Sequence, residues 1–424
     1  MKRILLALLL LAASVSQAQE KQPLTLTEDE KQFGLAQIWG AAKQNFVYFD
    51  QLTYNWDSLY KATIPKVRET KDAWEYYNVL RWFAAQLNDG HTSVWYPTSF
   101  YNPHAIYPVV KTDKIEGRVF ITDVLNDTLV QKGLEKGQEI IKINGMDVIQ
   151  YADTYVAPYE AASTLQGKEM MTYRYNLLAG PIDQALVVTV KDKKGALKEV
   201  AIPRKITRKD PPIVQFSVIG NNVGLLKIEN FGTDGFNKKF DSVYTSILKT
   251  NALIIDMREN GGGDNAQGYY MLKHLMKTPF KDAASSFIQY NPIMKIWGMK
   301  TTPYFQTPAD DYKPFTDRTI YEKPVVVLIS KGTYSSAEDF AMSFDYAKRG
   351  ALIGEPTGGS TGQPMFFALP GGGTFRVCVK KDTYPDGKQF VGVGIQPTIS
   401  VQQTAKSFLK GEDPVLQKAL EVLK

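Results

Sequence analysis

Cysteine and histidine are scarce in this 424-residue chain: one cysteine, Cys378, and three histidines, His91, His104 and His274. A lone cysteine closes no internal disulfide, so stability must come from packed cores, which a chain this long supplies in two or three domains. So few scattered Cys and His cannot build a conventional four-ligand zinc cage, and no cofactor is implied. Charge of one sign is not concentrated either. The 50 Lys and Arg and 44 Asp and Glu leave a net charge of +6 with no dense basic stripe, which speaks against a nucleic-acid partner. The stretch Gly354-Glu-Pro-Thr-Gly-Gly-Ser-Thr361 imitates the spacing of a phosphate loop but lacks the lysine that reaches the phosphates. Gly371-Gly372-Gly373 follows Leu369-Pro370 and reads as a hairpin turn. Beyond the N-terminus no run is apolar enough for a transmembrane helix, so no stable membrane insertion is expected.

The N-terminus itself reads as a leader. Met1-Lys-Arg is basic, Ile4 to Ala13 is apolar but short for a bilayer, and Ser16-Gln17-Ala18 offers the small residues that cleavage requires. Residues 1–18 are therefore expected to be a signal peptide, with the mature chain starting at Gln19. No cysteine follows the apolar stretch, so no lipid anchor is expected. The expected location is periplasmic or secreted.

The most informative residues are Ser335-Ser336-Ala337-Glu338. They stand where the apolar run Pro324 to Ser330 gives way, through Lys331-Gly-Thr-Tyr334, to a helical pattern ending at Ala347. A serine on such a strand-to-helix turn is either an N-cap or a nucleophile. The unpartnered amides of the first helical turn can face a developing negative charge. A nucleophilic serine usually needs a base, and histidine is the commonest. His91, in Leu87-Asn-Asp-Gly-His-Thr-Ser93, follows the helical stretch Ala73 to Phe83 and is the best candidate. His104 lies in a proline-rich loop. His274 sits beside Lys273 and Lys277, where a solvated helix face is the plainer reading. A third segment, Ala252-Leu-Ile-Ile-Asp-Met-Arg-Glu-Asn-Gly-Gly-Gly263, is a buried strand ending in Asp256 and Arg258 before three glycines that let backbone approach a ligand.

Together, Leu-Asn-Asp-Gly-His-Thr, Asp-Met-Arg-Glu-Asn-Gly-Gly-Gly and Gly-Thr-Tyr-Ser-Ser-Ala-Glu resemble the tail-specific (C-terminal processing) and tricorn-like serine peptidases in order and spacing, from about residue 25 onward. The resemblance implies Ser335 as nucleophile, and an oxyanion hole from the amide of Ser336 and those of Gly261 and Gly262. It implies an α/β fold with a crotonase-like (ClpP/crotonase) core over residues 213–424. Residues 105–205, with a strand at Gly117 to Val124 and an Asn144-Gly145 hairpin turn, resemble a PDZ domain. Residues 25–100 read as a helical N-terminal region opened by a capping box at Thr27-Glu-Asp-Glu30.

Two departures bear on mechanism. Where the tail-specific branch has a catalytic lysine, Gly354-Glu-Pro-Thr-Gly-Gly-Ser-Thr-Gly-Gln363 has Ser360. The tricorn-like branch pairs serine with the histidine and adds a glutamate before a Gly-x-x-Pro element; Val391 stands about there. Asp89, Glu355, Glu338 or a backbone carbonyl then remain to orient His91. The expected function is a serine endopeptidase acting on peptides or unfolded proteins, with Ser335 as nucleophile and His91 as general base. A binding protein for peptides or apolar ligands on the same scaffold, and an esterase using the same serine, stay open, as does the oligomeric state. Asp256 and Arg258 are expected to brace the glycine loop.

Overall fold

The computed structural model describes residues 24–98, 109–206, 208–232, 235–289, 291–299 and 304–424. The leader and His104 lie outside the described residues.

The fold is mixed α/β. Its central sheet runs Ile399–Ser400, Ala351–Gly354, Val325–Ile329, Ala252–Asp256, Val223–Ile228, Val214–Ile219, parallel throughout except for the last strand, which is antiparallel to its neighbour. Both faces are covered, which explains the unbroken apolar runs. Val325, Val327 and Ile329 turn to a core shared with helices Phe236–Ile247, Asn265–Leu275 and Ser336–Tyr346. Val326 and Leu328 turn to the other side, against helix Pro414–Val422. In open sheets of this kind the crevice beyond the carboxyl ends of the strands is where sites form. The segments after Asp256 and Ile329 both open there.

A second, antiparallel sheet holds Val110–Ile115, Arg118–Val124, Glu139–Ile143, Leu186–Lys191 and Leu197–Ile202 around its own core. Asn144 and Gly145 turn the chain between Glu139–Ile143 and Met146–Asp147 with φ of 49° and 80°, the tight hairpin that their sequence predicts. This body meets the central sheet through a buried ion cluster. Asp113 pairs with both Arg174 and Lys331, and Lys331 also reaches Glu169 at 2.8 Å.

Helices Glu28–Asn45, Trp56–Arg68 and Ala73–Ala85 form where the aromatic spacing predicts, and Thr27 and Glu30 make the reciprocal cap. Their core is not theirs alone. Phe375, Val377 and Cys378 pack among Tyr76, Tyr77 and Phe83. The short strand Ser93–Trp95 pairs antiparallel with Thr374–Cys378, which continues through a hairpin to Pro364–Ala368. His91 is thereby tied to a segment nearly three hundred residues later in the chain, as Cys378 N–H donates to Thr92 Oγ1 at 3.0 Å with a separation of 286.

His274 departs from the solvated reading. It is fully buried, ringed by Phe240, Tyr244, Tyr270 and Phe315, and its Nδ1 sits 2.9 Å from the Tyr270 carbonyl. The neighbouring lysines mark the edge of its helix face, while the aromatic packing across from it decides the burial.

Candidate active site

The Val325–Ile329 strand ends in a turn closed by Thr333, whose hydroxyl donates to the Met257 carbonyl at 2.9 Å. Ser335 follows at φ 55° and ψ −127°, a region non-glycine residues rarely occupy and that stores local strain. This conformation turns the Ser335 hydroxyl away from its own helix. Its Oγ lies 3.0 Å from Nε2 of His91. The two segments read separately from the sequence are brought together.

His91 sits on a turn fixed by Asp89. That buried carboxylate accepts the His91 backbone N–H at 3.1 Å, the Thr92 hydroxyl at 2.7 Å and the Ser163 hydroxyl at 3.2 Å. Asp89 thus holds the backbone of the turn and makes no bond to the ring. The ring's other nitrogen, Nδ1, lies 2.9 Å from Ser360 Oγ. The Tyr334 ring stacks on the imidazole at 5.4 Å between centroids and 7° between planes. Gly90 permits this closeness: a Cβ there would fall 1.8 Å from the Tyr334 hydroxyl and 2.9 Å from Ser360 Oγ. Burial, with the charges of Arg376 and Lys380, pushes the His91 pKa down to about 3. The ring is therefore neutral at physiological pH.

Glu338 does not touch His91. Its carboxylate accepts the backbone N–H groups of Ser335 at 3.2 Å, Gly359 at 2.8 Å and Ser360 at 2.9 Å, together with the Thr357 hydroxyl. One carboxylate so fixes both the Ser335 turn and the loop that aims Ser360. Burial raises its pKa to about 7 against those four donors, which lower it. Glu355 makes no bond to the ring among the described residues. Val391 packs against the main hydrophobic core.

The glycine loop closes the other side. Ser336 Oγ donates to Gly263 O at 2.6 Å, Phe231 N–H donates to Gly262 O at 2.8 Å, and Tyr334 N–H donates to Asn260 O at 3.0 Å. Gly262 has φ +96°, and a Cβ on it would fall 2.7 Å from Ser335 Cβ and 2.9 Å from Ser336 N. Its N–H is already given to Asn260 Oδ1 at 2.9 Å. The amides of Ser336 and Gly261 have no protein acceptor among the described residues. Asp256 and Arg258 brace the loop from below. Arg258 bonds Asp256 at 2.9 and 2.7 Å and reaches Asp413, at the start of the last helix, at 2.9 and 2.8 Å.

Two residues of this environment were not singled out for a role by the sequence. Ser360 shows there only as the residue in a lysine's place, and Arg376 gave no signal at all.

Residues 222–401 match peptidase family S41. Over this segment, less than half of the chain, the sequence is similar to that family. The matched residues include Ser335, Ser336, Gly261, Gly262 and Ser360; His91 lies outside them. The segment match and the relatives together support a serine-type peptidase, a hydrolase whose substrates are proteins or peptides. The chain is 21% identical over 435 residues to a carboxyl-terminal-processing protease of Synechocystis sp., covering 98% of this chain and 91% of that protein. It is 23% identical over 408 residues to carboxyl-terminal-processing peptidase 2, chloroplastic, of Arabidopsis thaliana, covering 88% of this chain and 72% of that one. Among solved structures, mature CPAF aligns with a TM-score of 0.69 at 15% identity, over 94% of this chain and 96% of that chain, a likeness of fold. No helix among the described residues is long and apolar enough to cross a membrane.

Proposed function

We propose that this chain is an exported serine endopeptidase of the tail-specific/tricorn-like kind, acting through an acyl-enzyme on Ser335. The observation that carries the reading is the 3.0 Å contact between Ser335 Oγ and Nε2 of a neutral, buried His91. Nδ1–H donates to Ser360 Oγ, which leaves Nε2 as the acceptor a general base must present. Ser335 Oγ loses its proton to Nε2 and bonds to the scissile carbonyl carbon. The oxyanion meets the amides of Ser336 and Gly261, both without another acceptor, while Gly262 contributes shape more than its committed N–H. His91 then returns the proton to the leaving amine, and water cleaves the ester in the reverse sense. Ser360 is a positioning residue in this scheme.

The same reading divides the chain into a leader over 1–18, a helical region over 25–100, a PDZ-like body over 105–205 and a crotonase-like peptidase core over 213–424. The export, to a periplasm or the outside, rests on the leader. The names of the relatives point to substrates cut near a carboxyl terminus.

Fluorophosphonate labelling of the mature protein tests the core of it without a known substrate. Labelling must vanish in Ser335→Ala and in His91→Ala. Labelling lost only in Ser335→Ala removes the base, and a folded wild-type protein that takes no label removes the mechanism.

A further inference from the structure

Arg376 lies on the Thr374–Cys378 strand, with Ser93 as its register partner on one side and Phe366 on the other. Its Nε–H donates to Ser93 Oγ at 2.9 Å, and Nη2 donates to the carbonyl of Gly90, one residue before His91, at 3.0 Å. Nη1 has no acceptor, and the guanidinium no ion-pair partner, among the described residues. The residue is half-buried, so the guanidinium is within reach of a ligand, and partial burial lowers its pKa, with Tyr334 and Asp89 acting only at longer range. The guanidinium carbon stands 5.0 Å from the centroid of the Trp95 ring, and that ring contacts Phe366 at 5.7 Å. Trp95 and Phe366 are 40% and 54% exposed, so this aromatic surface opens outward on the sheet face that carries Arg376.

We propose that Arg376, walled by Trp95 and Phe366, is a carboxylate-binding subsite of the cleft, taking the C-terminal carboxylate of a peptide or one of its acidic side chains. The inference rests on reading Ser335 and His91 as a peptide-cleaving centre. A guanidinium meets a carboxylate through parallel N–H bonds, and the two aromatic rings flank the approach. The contact with Gly90 puts the subsite beside the base. An arriving carboxylate also offsets part of the positive field that depresses His91, so a substrate that carries the anion meets a stronger base.

The test uses the full chain bearing Ser335→Ala, so that nothing is turned over. Its affinity is measured by fluorescence anisotropy for three labelled random hexapeptide pools. One ends in a free carboxylate, one in a carboxamide, and one in a carboxamide but with a single internal Glu. The expected result is binding about tenfold tighter for the free acid or the Glu pool than for the plain amide, and which of the two gains names the source of the carboxylate. Arg376→Gln on the same background removes that preference. Equal binding of all three pools by the chain with Arg376 overturns the proposal, as does a preference that survives Arg376→Gln and so belongs elsewhere. Should Arg376→Gln fail to fold, Arg376→Lys keeps the charge and loses the fork; an undiminished preference there is equally fatal. Fluorophosphonate labelling of the unmutated chain reports on Ser335 separately. A carboxylate preference without labelling defeats the peptidase reading and leaves the subsite standing.

Discussion

Ser360 Oγ lies 2.9 Å from Nδ1 of His91, so the group that meets the far side of the imidazole is a hydroxyl and carries no charge. A hydroxyl orients the ring but offers a forming imidazolium no counter-charge. The nearest carboxylates, Asp89 and Glu338, are both spent on backbone amides and hydroxyls.

Ser360→Ala should therefore lower kcat by about 10- to 100-fold with KM nearly unchanged, less than the ~10⁴ seen when an orienting acid is lost from a triad. Ser360→Thr, which keeps the hydroxyl, should recover part of the rate. Steady-state kinetics on one cleaved peptide decides it; a Ser360→Ala enzyme with wild-type kcat refutes the assignment.

The rate of Ser335 labelling should show no acid limb at the usual histidine pKa. With its pKa held down to about 3 by burial and by Arg376, His91 stays an acceptor well below pH 6.5. Ser360→Asp should raise that pKa and carry the limb upward. A wild-type limb that moves with no Ser360 substitution would place control in another group.

Stability has a sign of its own at Glu338. Its folded pKa, about 7, lies above the ordinary glutamate value of 4.5. Between those values the folded chain holds the proton that the unfolded chain gives up, so this contribution is full below 4.5 and disappears as pH rises through 7. His91 acts oppositely: its depressed folded pKa makes the unfolded chain the better proton binder from 6.5 down to about 3, so its contribution weakens on acidification. Melting temperatures of wild type and Glu338→Gln at pH 5 and pH 8 isolate the first effect: the pH dependence should flatten in the variant.

Gly262→Ala should abolish labelling. The methyl group would fall 2.7 Å from both Ser335 Cβ and the Tyr334 carbonyl, at a φ of +96° that alanine disfavours. Labelling at wild-type rate in a folded Gly262→Ala protein would show that the loop yields without cost.

Arg258→Ala should destabilise the chain by about 3 kcal/mol or more, because it leaves Asp256 and Asp413 without their shared partner in a largely buried setting. Urea melts measure it. A loss within a few tenths of a kcal/mol would mean that water replaces the pair.

The sequence carried Ser335 and His91 because each lies in a short local pattern: a strand-to-helix turn in one case, a glycine-histidine turn past a helix in the other. It carried the parallel strands for the same reason, since runs such as Val325 to Ile329 are apolar on both faces. The partner of His91 could not be ranked, as Ser360 is 269 residues away and only the fold brings it to the ring. The one available hint was a serine standing in a lysine's place. His274 was misjudged from its charged neighbours, because its surroundings come from Phe240, Tyr244 and Phe315 rather than from its own helix. Nor did local spacing foretell that Phe375 and Val377 complete the core of the N-terminal helices.

The pairing of Ser93–Trp95 with Thr374–Cys378 also has a consequence for the order of events during synthesis. A chain still on the ribosome can have made Ser335 and its glycine loop while lacking the strand that anchors the His91 turn. Until residues 374–378 emerge, the His91 turn lacks the strand it pairs beside, and a truncated or nascent chain carries Ser335 without His91 held against it. Assembly of the site thus waits on nearly the whole chain, because strands at its two ends must meet.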